Sequence, residues 1–148
     1  MTQDDERWMR LALAEAHDAA EMGEVPVGAV VVCNNRIVGR GHNMTERLKD
    51  VTAHAEMMAI TAAAGTLGGK YLNECTLYVT VEPCAMCAGA IGWAQMGRLV
   101  FGASDPKRGF MSYFRSDPSP LHPKTIVESG VLADQCSELM SDFFRKRR

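Results

Sequence analysis

The spacing of apolar residues changes along the chain, from the spacing of a helix near the N-terminus to the continuous runs of β-strands after it. Residues 6–22 place apolar side chains at partly helical spacing, and Gly23 follows them, which predicts a first helix. Two β-branched, apolar runs come next, at 27–33 and 36–41. Asn34 and Asn35 between them tolerate the left-handed geometry of a tight turn, so the two runs predict a β-hairpin.

The rest of the chain predicts further helices and strands in alternation. Strand, helix and strand follow one another between 76 and 103, an order that favours parallel pairing with a right-handed crossover. Residues 104–123 contain four prolines and little periodicity, and a segment of that length is typical of a functional loop. The predicted elements are helices over 53–64, 84–94 and 133–146 and strands over 76–81, 99–103 and 126–128, with a break at 65–70. We therefore expect an α/β fold, a five-stranded mixed sheet with helices on both faces.

The composition fits a single domain over residues 1–148, with enough apolar residues for one core. The acidic N-terminal segment lacks the basic and then apolar order of a signal peptide, and no apolar run approaches the length of a membrane span. Five cysteines, an odd number, favour reduced thiols over a disulfide framework. We therefore expect a cytoplasmic protein.

The net charge of −2 hides an uneven distribution of charge. Residues 1–24 carry seven acidic side chains against two basic ones, whereas 98–115 carry four basic side chains against Asp105, and 145–148 are all basic. Such segments can contact phosphates, because binding depends on local counterion release. A basic tail is equally typical of a solvated helix end. Charge alone leaves nucleic-acid binding open.

Two short motifs indicate a catalytic zinc site: His54-Ala55-Glu56, and then Pro83-Cys84-Ala85-Met86-Cys87. One imidazole and two thiolates give three protein ligands to a metal that prefers four, which leaves one position for water or substrate. Because two thiolates cancel the charge of Zn²⁺, bound water is acidified less than at an all-imidazole site, and a carboxylate has to take its proton. Glu56 is the candidate for that role.

Helix geometry explains how these residues converge. Cys84 and Cys87 are three residues apart and share a face if they open a helix, and Pro83 suits the first turn of that helix. Thr52 is expected to cap a second helix that begins one residue later and places His54 in its first turn. The site then lies between two helix N-termini, with the helices side by side against the sheet and a pocket where their ends meet.

Other interpretations of the motifs are a redox Cys-x-x-Cys pair and a closed structural zinc knot. A knot needs a fourth ligand, and none of the remaining candidates has finger-like or ribbon-like spacing to His54. Glu56 alone would be a solvated helix glutamate, but its place two residues after a ligand favours catalysis. The remaining candidates for a fourth ligand are Cys33, Cys75, Cys136, His17, His42 and His122.

The two motifs form the signature of the zinc nucleoside and nucleobase deaminases, and the chain resembles bacterial tRNA-specific adenosine deaminases within the cytidine/deoxycytidylate deaminase superfamily. The resemblance covers essentially the whole chain and implies a three-layer α-β-α cytidine-deaminase-like fold. It also implies one Zn²⁺ per chain, a homodimer, and conversion of adenosine to inosine at the wobble position of a tRNA anticodon. Further matching segments are 24–29, 52–56, 76–80, 97–103, 129–132 and 142–145.

The resemblance also implies substrate contacts. It places Asn43 against the target nucleoside, Val25-Pro26-Val27-Gly28 and Ala55 along the base pocket, Asp105 beside the neighbouring nucleotides, and Phe144 where an aromatic ring can stack on a base. Four of these residues have a plainer interpretation: Asn43 ends a strand, Gly28 forms a β-bulge, Asp105 begins a turn, and Phe144 belongs to a helix core.

The chain departs from the family pattern at three places. Val51 stands where proline is usual and Gln95 replaces a common arginine, but neither touches a ligand, and the loop 107–112 differs from the more usual small-residue version. Loop contacts set substrate context, so the RNA preference stays open. Two other functions remain as alternatives: a deaminase of free guanine or cytosine, and a non-catalytic, zinc-stabilised RNA-binding module. The apolar residues Ile91, Trp93 and Met96 belong either to a dimer interface or to the core.

Overall fold

The computed structural model describes residues 3–115 and 118–147. Ser116 and Asp117 of the predicted functional loop, and Arg148 of the basic tail, lie outside the described residues. In chain order the elements are α1 (Gln3–Glu21), β1 (Gly28–Cys33), β2 (Arg36–His42), α2 (Thr45–Leu48), α3 (Ala55–Leu67), β3 (Cys75–Val81), α4 (Ala85–Trp93), β4 (Arg98–Ala103), α5 (Phe110–Tyr113), β5 (Ile126–Ser129) and α6 (Ala133–Lys146).

The five strands form one mixed sheet in the order β2-β1-β3-β4-β5. β1 pairs antiparallel with β2 and with β3, whereas β3, β4 and β5 run parallel. Asn34 and Asn35 both have positive φ angles, as a tight hairpin turn requires. The five-stranded mixed sheet expected from the sequence is confirmed.

Helices cover both faces of the sheet, because strand residues alternate between two apolar cores. Ala29 and Val31 of β1 point to the core beneath α3 and α4, and Val30 and Val32 point to the core beneath α1 and α6. The three layers are therefore confirmed, with both predicted metal helices on the same face of the sheet.

Close packing of α3 on β2 fixes the position of the helix end that carries His54. A Cβ atom at Gly39 would lie 2.4 Å from the Ala59 carbonyl oxygen, and one at Gly41 would lie 2.9 Å from that of Ala55. Only glycine on the strand and small residues on the helix allow this approach, so the start of α3 is held close to the sheet.

The structure differs from the sequence-based elements at three places. α3 passes through Gly65 and ends at Leu67, since an isolated glycine costs a helix only about 1 kcal/mol, while Gly68 adopts the left-handed conformation that stops it. The short helices α2 and α5 were not predicted, because four residues are too few to show a helical period.

None of the helices in the described residues has the length and apolar character needed to span a membrane.

Candidate metal centre and active site

His54, Cys84 and Cys87 come together in the structure as the spacing predicted. The Nδ1 atom of His54 lies 3.6 Å from the sulfur of Cys84 and 3.5 Å from that of Cys87, and all three ligand atoms lie within 4.8 Å of one another. Tetrahedral Zn²⁺ with bonds of about 2.0 Å to nitrogen and about 2.3 Å to sulfur holds such atoms about 3.6 Å apart. The geometry and the donor types therefore fit a zinc ion.

Two ligands occupy equivalent positions at helix ends. His54 is the N-cap residue of α3 and Cys84 the N-cap residue of α4, both with extended backbone angles, and Cys87 lies in the first turn of α4. An N-cap side chain points off the tip of its helix, and this explains how His54 and Glu56 serve one site although they are two residues apart.

The expected capping by Thr52 is wrong. The hydroxyl of Thr52 donates to a carboxylate oxygen of Asp50 at 2.7 Å, inside a turn that precedes the helix, and α3 begins at Ala55 instead of one residue after Thr52. Asp50 is only two residues from Thr52, and its carboxylate engages the hydroxyl in this turn, so the hydroxyl belongs to the turn and not to the helix end.

Pro83 also lies outside its helix, one residue before the N-cap of α4, so its expected place in the first turn is wrong. Its carbonyl oxygen accepts a hydrogen bond from the Phe110 backbone N–H at 2.9 Å, and Cys84 forms an isolated bridge with Gly109. Pro83 therefore joins the ligand segment to the loop that follows β4.

Hydrogen bonds among the ligand side chains shift their pKa values. A hydrogen bond from the Cys87 thiol lowers the pKa of Cys84 to about 4, and the same shared proton, together with burial, raises the pKa of Cys87 far above its ordinary value. The hydrogen bond to Cys84 raises the pKa of His54. Cys84 is therefore the more readily ionised of the two thiols, and ligation of a divalent ion by Cys87 requires loss of the Cys87 proton.

Glu56 is a buried carboxyl group beside this cluster. Its side chain is 4% exposed, and burial raises its pKa to about 7, with the negative charge of Cys84 adding to the shift. A carboxyl group that titrates near neutral pH can both accept and return a proton in a catalytic cycle. The position and acidity of Glu56 therefore fit the proton carrier predicted from the sequence.

A cavity of about 310 Å³ opens beside the metal cluster. Five of the substrate contacts implied by the resemblance line it, namely Val25, Val27, Asn43, Ala55 and Asp105, together with His54, Glu56 and Cys84. The lining also contains five residues that the sequence did not indicate: Thr45, Val81, Glu82, Arg108 and Met140. The cavity has room for one planar base and is closed by parts of the chain far apart in sequence.

Asn43 lines this cavity and has a buried polar atom without a hydrogen-bond partner among the described residues. Its side chain is buried, and its Oδ1 atom has no hydrogen-bond partner among the described residues. Asn43 directly follows β2 and its backbone N–H donates to the Val27 carbonyl oxygen at 3.1 Å, so it also ends the strand. A buried acceptor without a partner is costly unless a ligand supplies the donor.

Asp105 combines a turn with a place in the cavity wall. Its Oδ1 atom accepts hydrogen bonds from the backbone N–H groups of Lys107 and Arg108, at 3.1 and 3.0 Å, which is an Asx turn. The turn interpretation and the contact interpretation are therefore compatible. The turn also brings Arg108 to the cavity, and the basic residues between 98 and 115 were the sequence signal for it.

Pro26, Gly28 and Phe144 are not among the residues that line the cavity. A Cβ atom at Gly28 would lie 2.0 Å from the Ala12 carbonyl oxygen, so glycine is needed there for the packing of α1 against β1. The β-bulge suggested at Gly28 is wrong, since the register shifts between Val31 and Val32.

Phe144 lies on α6 with 46% of its side chain exposed, and its ring meets that of Phe143 edge to face. Met140, one turn earlier on the same helix, lines the cavity instead. A helix places residues four apart on one face, so Phe144 shares the helix face of Met140 but lies outside the cavity lining.

Comparisons with known proteins agree with the zinc site that the geometry indicates. Residues 2–103 match the cytidine and deoxycytidylate deaminase zinc-binding region. The chain is 45% identical over 150 residues to the tRNA-specific adenosine deaminase of Bacillus subtilis, covering 100% of this chain and 92% of the relative. It is 47% identical over 147 residues to that of Haemophilus influenzae, covering 97% and 85%.

Solved structures show the same relationship. One from a study of A-to-I editing by tRNA:A34 deaminases superposes with a TM-score of 0.83 at 44% identity, covering 90% of this chain and 98% of that chain. A guanine deaminase from Bacillus subtilis superposes with a TM-score of 0.66 at 28% identity, covering 99% and 94%. The chain therefore belongs to the cytidine and deoxycytidylate deaminase family, in the branch of the tRNA-specific adenosine deaminases.

Proposed function

We propose that this protein deaminates adenosine to inosine at the wobble position of a tRNA anticodon. One Zn²⁺ per chain is held by His54, Cys84 and Cys87, and Glu56 is the catalytic acid and base. The observation that carries the proposal is a cavity at which the ligand cluster and the buried carboxyl group of Glu56 meet Asn43, whose Oδ1 atom has no hydrogen-bond partner among the described residues. The tRNA-specific relatives, matched along 92% and 85% of their length, support the choice of substrate.

The chemistry divides between the ion and the protein. When bound, zinc would supply an acidified water molecule and Lewis acidity at the open ligand position. Glu56 accepts a proton from the attacking water and delivers it to N1 of the adenine ring; it then takes the second proton, from the hydroxyl group added at C6, and delivers it to the amino group, which leaves as ammonia. A pKa of about 7 suits a group that is charged at one step and neutral at the next. Burial excludes competing bulk water from this carboxyl group.

Base recognition falls to the side chains around the cavity. The Oδ1 atom of Asn43 offers its free acceptor to a hydroxyl or amino group of the nucleoside, while Val25 and Val27 give the base an apolar wall. Ala55 leaves room beside the ligands, and Asp105 lies at the mouth, where the flanking nucleotides enter. Pro26 and Gly28 contribute through the backbone that carries the two valines.

A second depression favours a polynucleotide over a free base. It adjoins the cavity through Cys84 and Arg108, and it is further lined by Ala85, Met86, Lys107 and Tyr113. Two cations and an exposed aromatic ring suit the phosphates and the splayed bases of an anticodon loop. Phe144 and the basic end of α6 extend this surface in the proposal, although Arg147 is partly engaged by the Gly23 carbonyl oxygen.

We further propose a homodimer. Trp93 on α4 is 85% exposed, and Met86 on the same helix is also exposed, whereas Ile91 and Met96 belong to the core beneath the sheet. An apolar surface that includes an exposed tryptophan is typical of a protein contact. α4 carries two zinc ligands, so a partner on this helix would lie next to the metal centre.

We expect one deaminase domain over residues 1–148 and a cytoplasmic location. The single sheet that joins all five strands supports the first expectation. The five cysteines, all present as free thiols, support the second, because the cytoplasm keeps thiols reduced.

The decisive experiment measures inosine and ammonia from an anticodon stem-loop with adenosine at the wobble position. The zinc-loaded wild type is expected to convert this RNA and to leave free guanine and cytosine unchanged. Glu56→Ala should retain zinc and lose at least about 10²–10⁴-fold in rate, since it removes the only proton carrier proposed for the reaction. Zinc content and circular dichroism control for folding.

Each other outcome decides against the proposal in a different way. Inosine formation by Glu56→Ala at the wild-type rate rules out the role of Glu56. Conversion of guanine or cytosine in place of the RNA selects a free-base deaminase. Tight, zinc-dependent RNA binding without ammonia release selects a non-catalytic RNA-binding module.

A further inference from the structure

Two buried carboxylates flank the cavity and have no part in the chemistry above. Glu24, just before the valines of the base pocket, is 1% exposed, and Glu82, at the end of β3, is 7% exposed. Among the described residues, neither forms an ion pair with a basic side chain. Burial of an ionised carboxylate is unfavourable unless hydrogen bonds compensate for lost water, so the partners of these two groups indicate their purpose.

Glu82 holds the loop on one side of the cavity mouth. Its Oε1 atom accepts a hydrogen bond from the Asp105 backbone N–H at 3.0 Å, and its Oε2 atom accepts one from the Met111 N–H at 2.9 Å. The two contacts close the segment 105–111, which carries Asp105 and Arg108 into the cavity wall. A Cβ atom at Gly109 would lie 2.2 Å from the Glu82 carboxyl carbon, so the loop is packed directly onto this group.

Glu24 holds the opposite side in the same manner. Its two carboxylate oxygens accept hydrogen bonds from the backbone N–H groups of Glu46 and Arg47, at 3.1 and 2.7 Å. These donors belong to the first turn of α2, whose own N-cap residue provides no side-chain hydrogen bond. Thr45 of the same turn lines the cavity. Glu24 therefore replaces a missing cap and fixes Thr45 at the rim.

We propose that Glu24 and Glu82 are positioning residues for RNA. Each uses both carboxylate oxygens to hold a rim segment, so that Thr45 on one side, and Asp105 and Arg108 on the other, meet the nucleotides that flank the target base. This role rests on the proposed function, and it acts through backbone geometry without contact with the reacting atoms.

Replacement by glutamine separates geometry from charge. Glutamine has the same shape, but its side-chain NH₂ group cannot accept a hydrogen bond, so one of the two backbone N–H groups loses its partner. If these residues acted only as charges, removal of a negative charge beside the RNA would lower KM. If they position the rims, KM rises, and the direction of the change distinguishes the two roles.

The test compares Glu82→Gln and Glu24→Gln with Glu74→Gln, an exposed glutamate outside the cavity lining that controls for the same change of charge. On the anticodon stem-loop, each buried variant should raise KM on the order of tenfold, the loss expected for one charge-assisted hydrogen bond, and should keep kcat within about twofold. Amide exchange should quicken at Asp105 and Met111 in Glu82→Gln, and at Glu46 and Arg47 in Glu24→Gln. The control should change neither quantity.

Gly109→Ala is a second variant that displaces the Glu82 contact while it keeps the charge and a backbone conformation open to alanine. It should raise KM as Glu82→Gln does, and it decides the question for that rim if the glutamine variant fails to fold. Unchanged or lower KM in the folded variants, or unchanged amide exchange, overturns the positioning role. Absence of inosine from the wild type overturns the proposed function instead, and amide exchange together with RNA binding then decides the positioning role alone.

Discussion

In the described part of the chain, a polar cluster on one face of the sheet differs in its hydrogen bonding from the metal cluster on the other face. On the α1 side of the sheet, the Asp5 cluster consists of Asp5, Tyr78, Arg98 and Glu128. Arg98 donates to both oxygens of Asp5, at 2.8 and 2.7 Å, and the Tyr78 hydroxyl donates to Asp5 at 2.7 Å. Every member is paired with another member.

The metal cluster, on the α3 side, consists of His54, Glu56, Cys84 and Cys87, and its ligand atoms have mainly one another as partners. Two of its pKa values are shifted toward or below neutrality: the pKa of Cys84 is lowered to about 4 by the hydrogen bond from Cys87, and that of Glu56 is raised to about 7 by burial. In the Asp5 cluster, by contrast, the pKa values of Tyr78 and Arg98 rise further from neutrality.

The difference separates stabilisation from function. The members of the Asp5 cluster hydrogen-bond to one another and connect α1 to β3, β4 and β5, as a stabilising network does. The metal cluster lies at a cavity beside Asn43, whose Oδ1 atom has no hydrogen-bond partner among the described residues, so this cluster can bind an ion and a substrate. Changes in the two clusters should therefore have opposite consequences for stability and activity.

The largest effect is expected from Cys87→Ala, which removes one of the three zinc ligands. Zinc content should fall to near zero under dialysis, and inosine formation should become undetectable, because two ligands do not hold the ion against buffer. Metal analysis and the stem-loop assay measure both. Cys136→Ala is the matched control, since Cys136 is equally buried but belongs to the core beneath α6. If Cys87→Ala keeps its zinc, the ligand set is wrong.

Arg98→Met should have the second largest effect, and on stability instead of activity. It removes the guanidinium group that donates to both oxygens of the buried Asp5 carboxylate, and we expect the free energy of unfolding to fall by about 2–4 kcal/mol, somewhat below the cost for a fully buried pair because Arg98 is partly exposed. Urea denaturation measures the loss, and zinc content and kcat per folded molecule should be unchanged.

Arg10→Met is the control for Arg98→Met, because the Arg10 pair with Glu6 is exposed on both sides. It should cost less than about 1 kcal/mol. An equal loss in the two variants, or a loss of activity in folded Arg98→Met, would remove the distinction between the clusters.

The metal cluster could be predicted from the sequence and the Asp5 cluster could not, for a physical reason. His54 with Glu56, and Cys84 with Cys87, lie in two contiguous motifs whose spacing is fixed by local helix geometry. The four members of the Asp5 cluster come from one helix and three strands, and only the packed sheet brings them together. Likewise, apolar runs predicted the strands, and apolar residues at helical spacing predicted the long helices.

Tertiary packing also explains what the sequence missed around the cavity. Thr45 lies on a helix of four residues, and Met140 reaches the cavity from α6, which is remote in sequence. Glu82 stands directly before the ligand motif, yet its role depends on a loop more than twenty residues later. Gly28 was assigned to the base pocket, but its missing side chain serves the packing of α1. Short elements and long-range contacts leave no periodic signal.

The smallest effect, from Tyr78→Phe, tests whether the Asp5 cluster is fixed in one protonation state. Burial, and next the hydrogen bond to Asp5, raises the pKa of Tyr78 in the folded protein above its ordinary value of about 10. The hydroxyl therefore contributes stability that is complete below pH 10 and is lost as the pH rises through the folded-state pKa. At neutral pH the variant should be about 1 kcal/mol less stable, for the loss of one hydrogen bond.

Above pH 10 this difference between wild type and Tyr78→Phe should shrink, because unfolding lets the wild-type phenol ionise while phenylalanine has no such gain. Parallel urea titrations at pH 7, 9 and 10.5 measure it, and subtraction of the two proteins cancels the alkaline effects that they share. A constant difference across this range would mean that the Tyr78 hydroxyl titrates alike in the folded and unfolded chains. The Asp5 cluster would then leave the pKa of Tyr78 at its value in the unfolded chain. Its contrast with the metal cluster would rest on hydrogen-bond geometry alone.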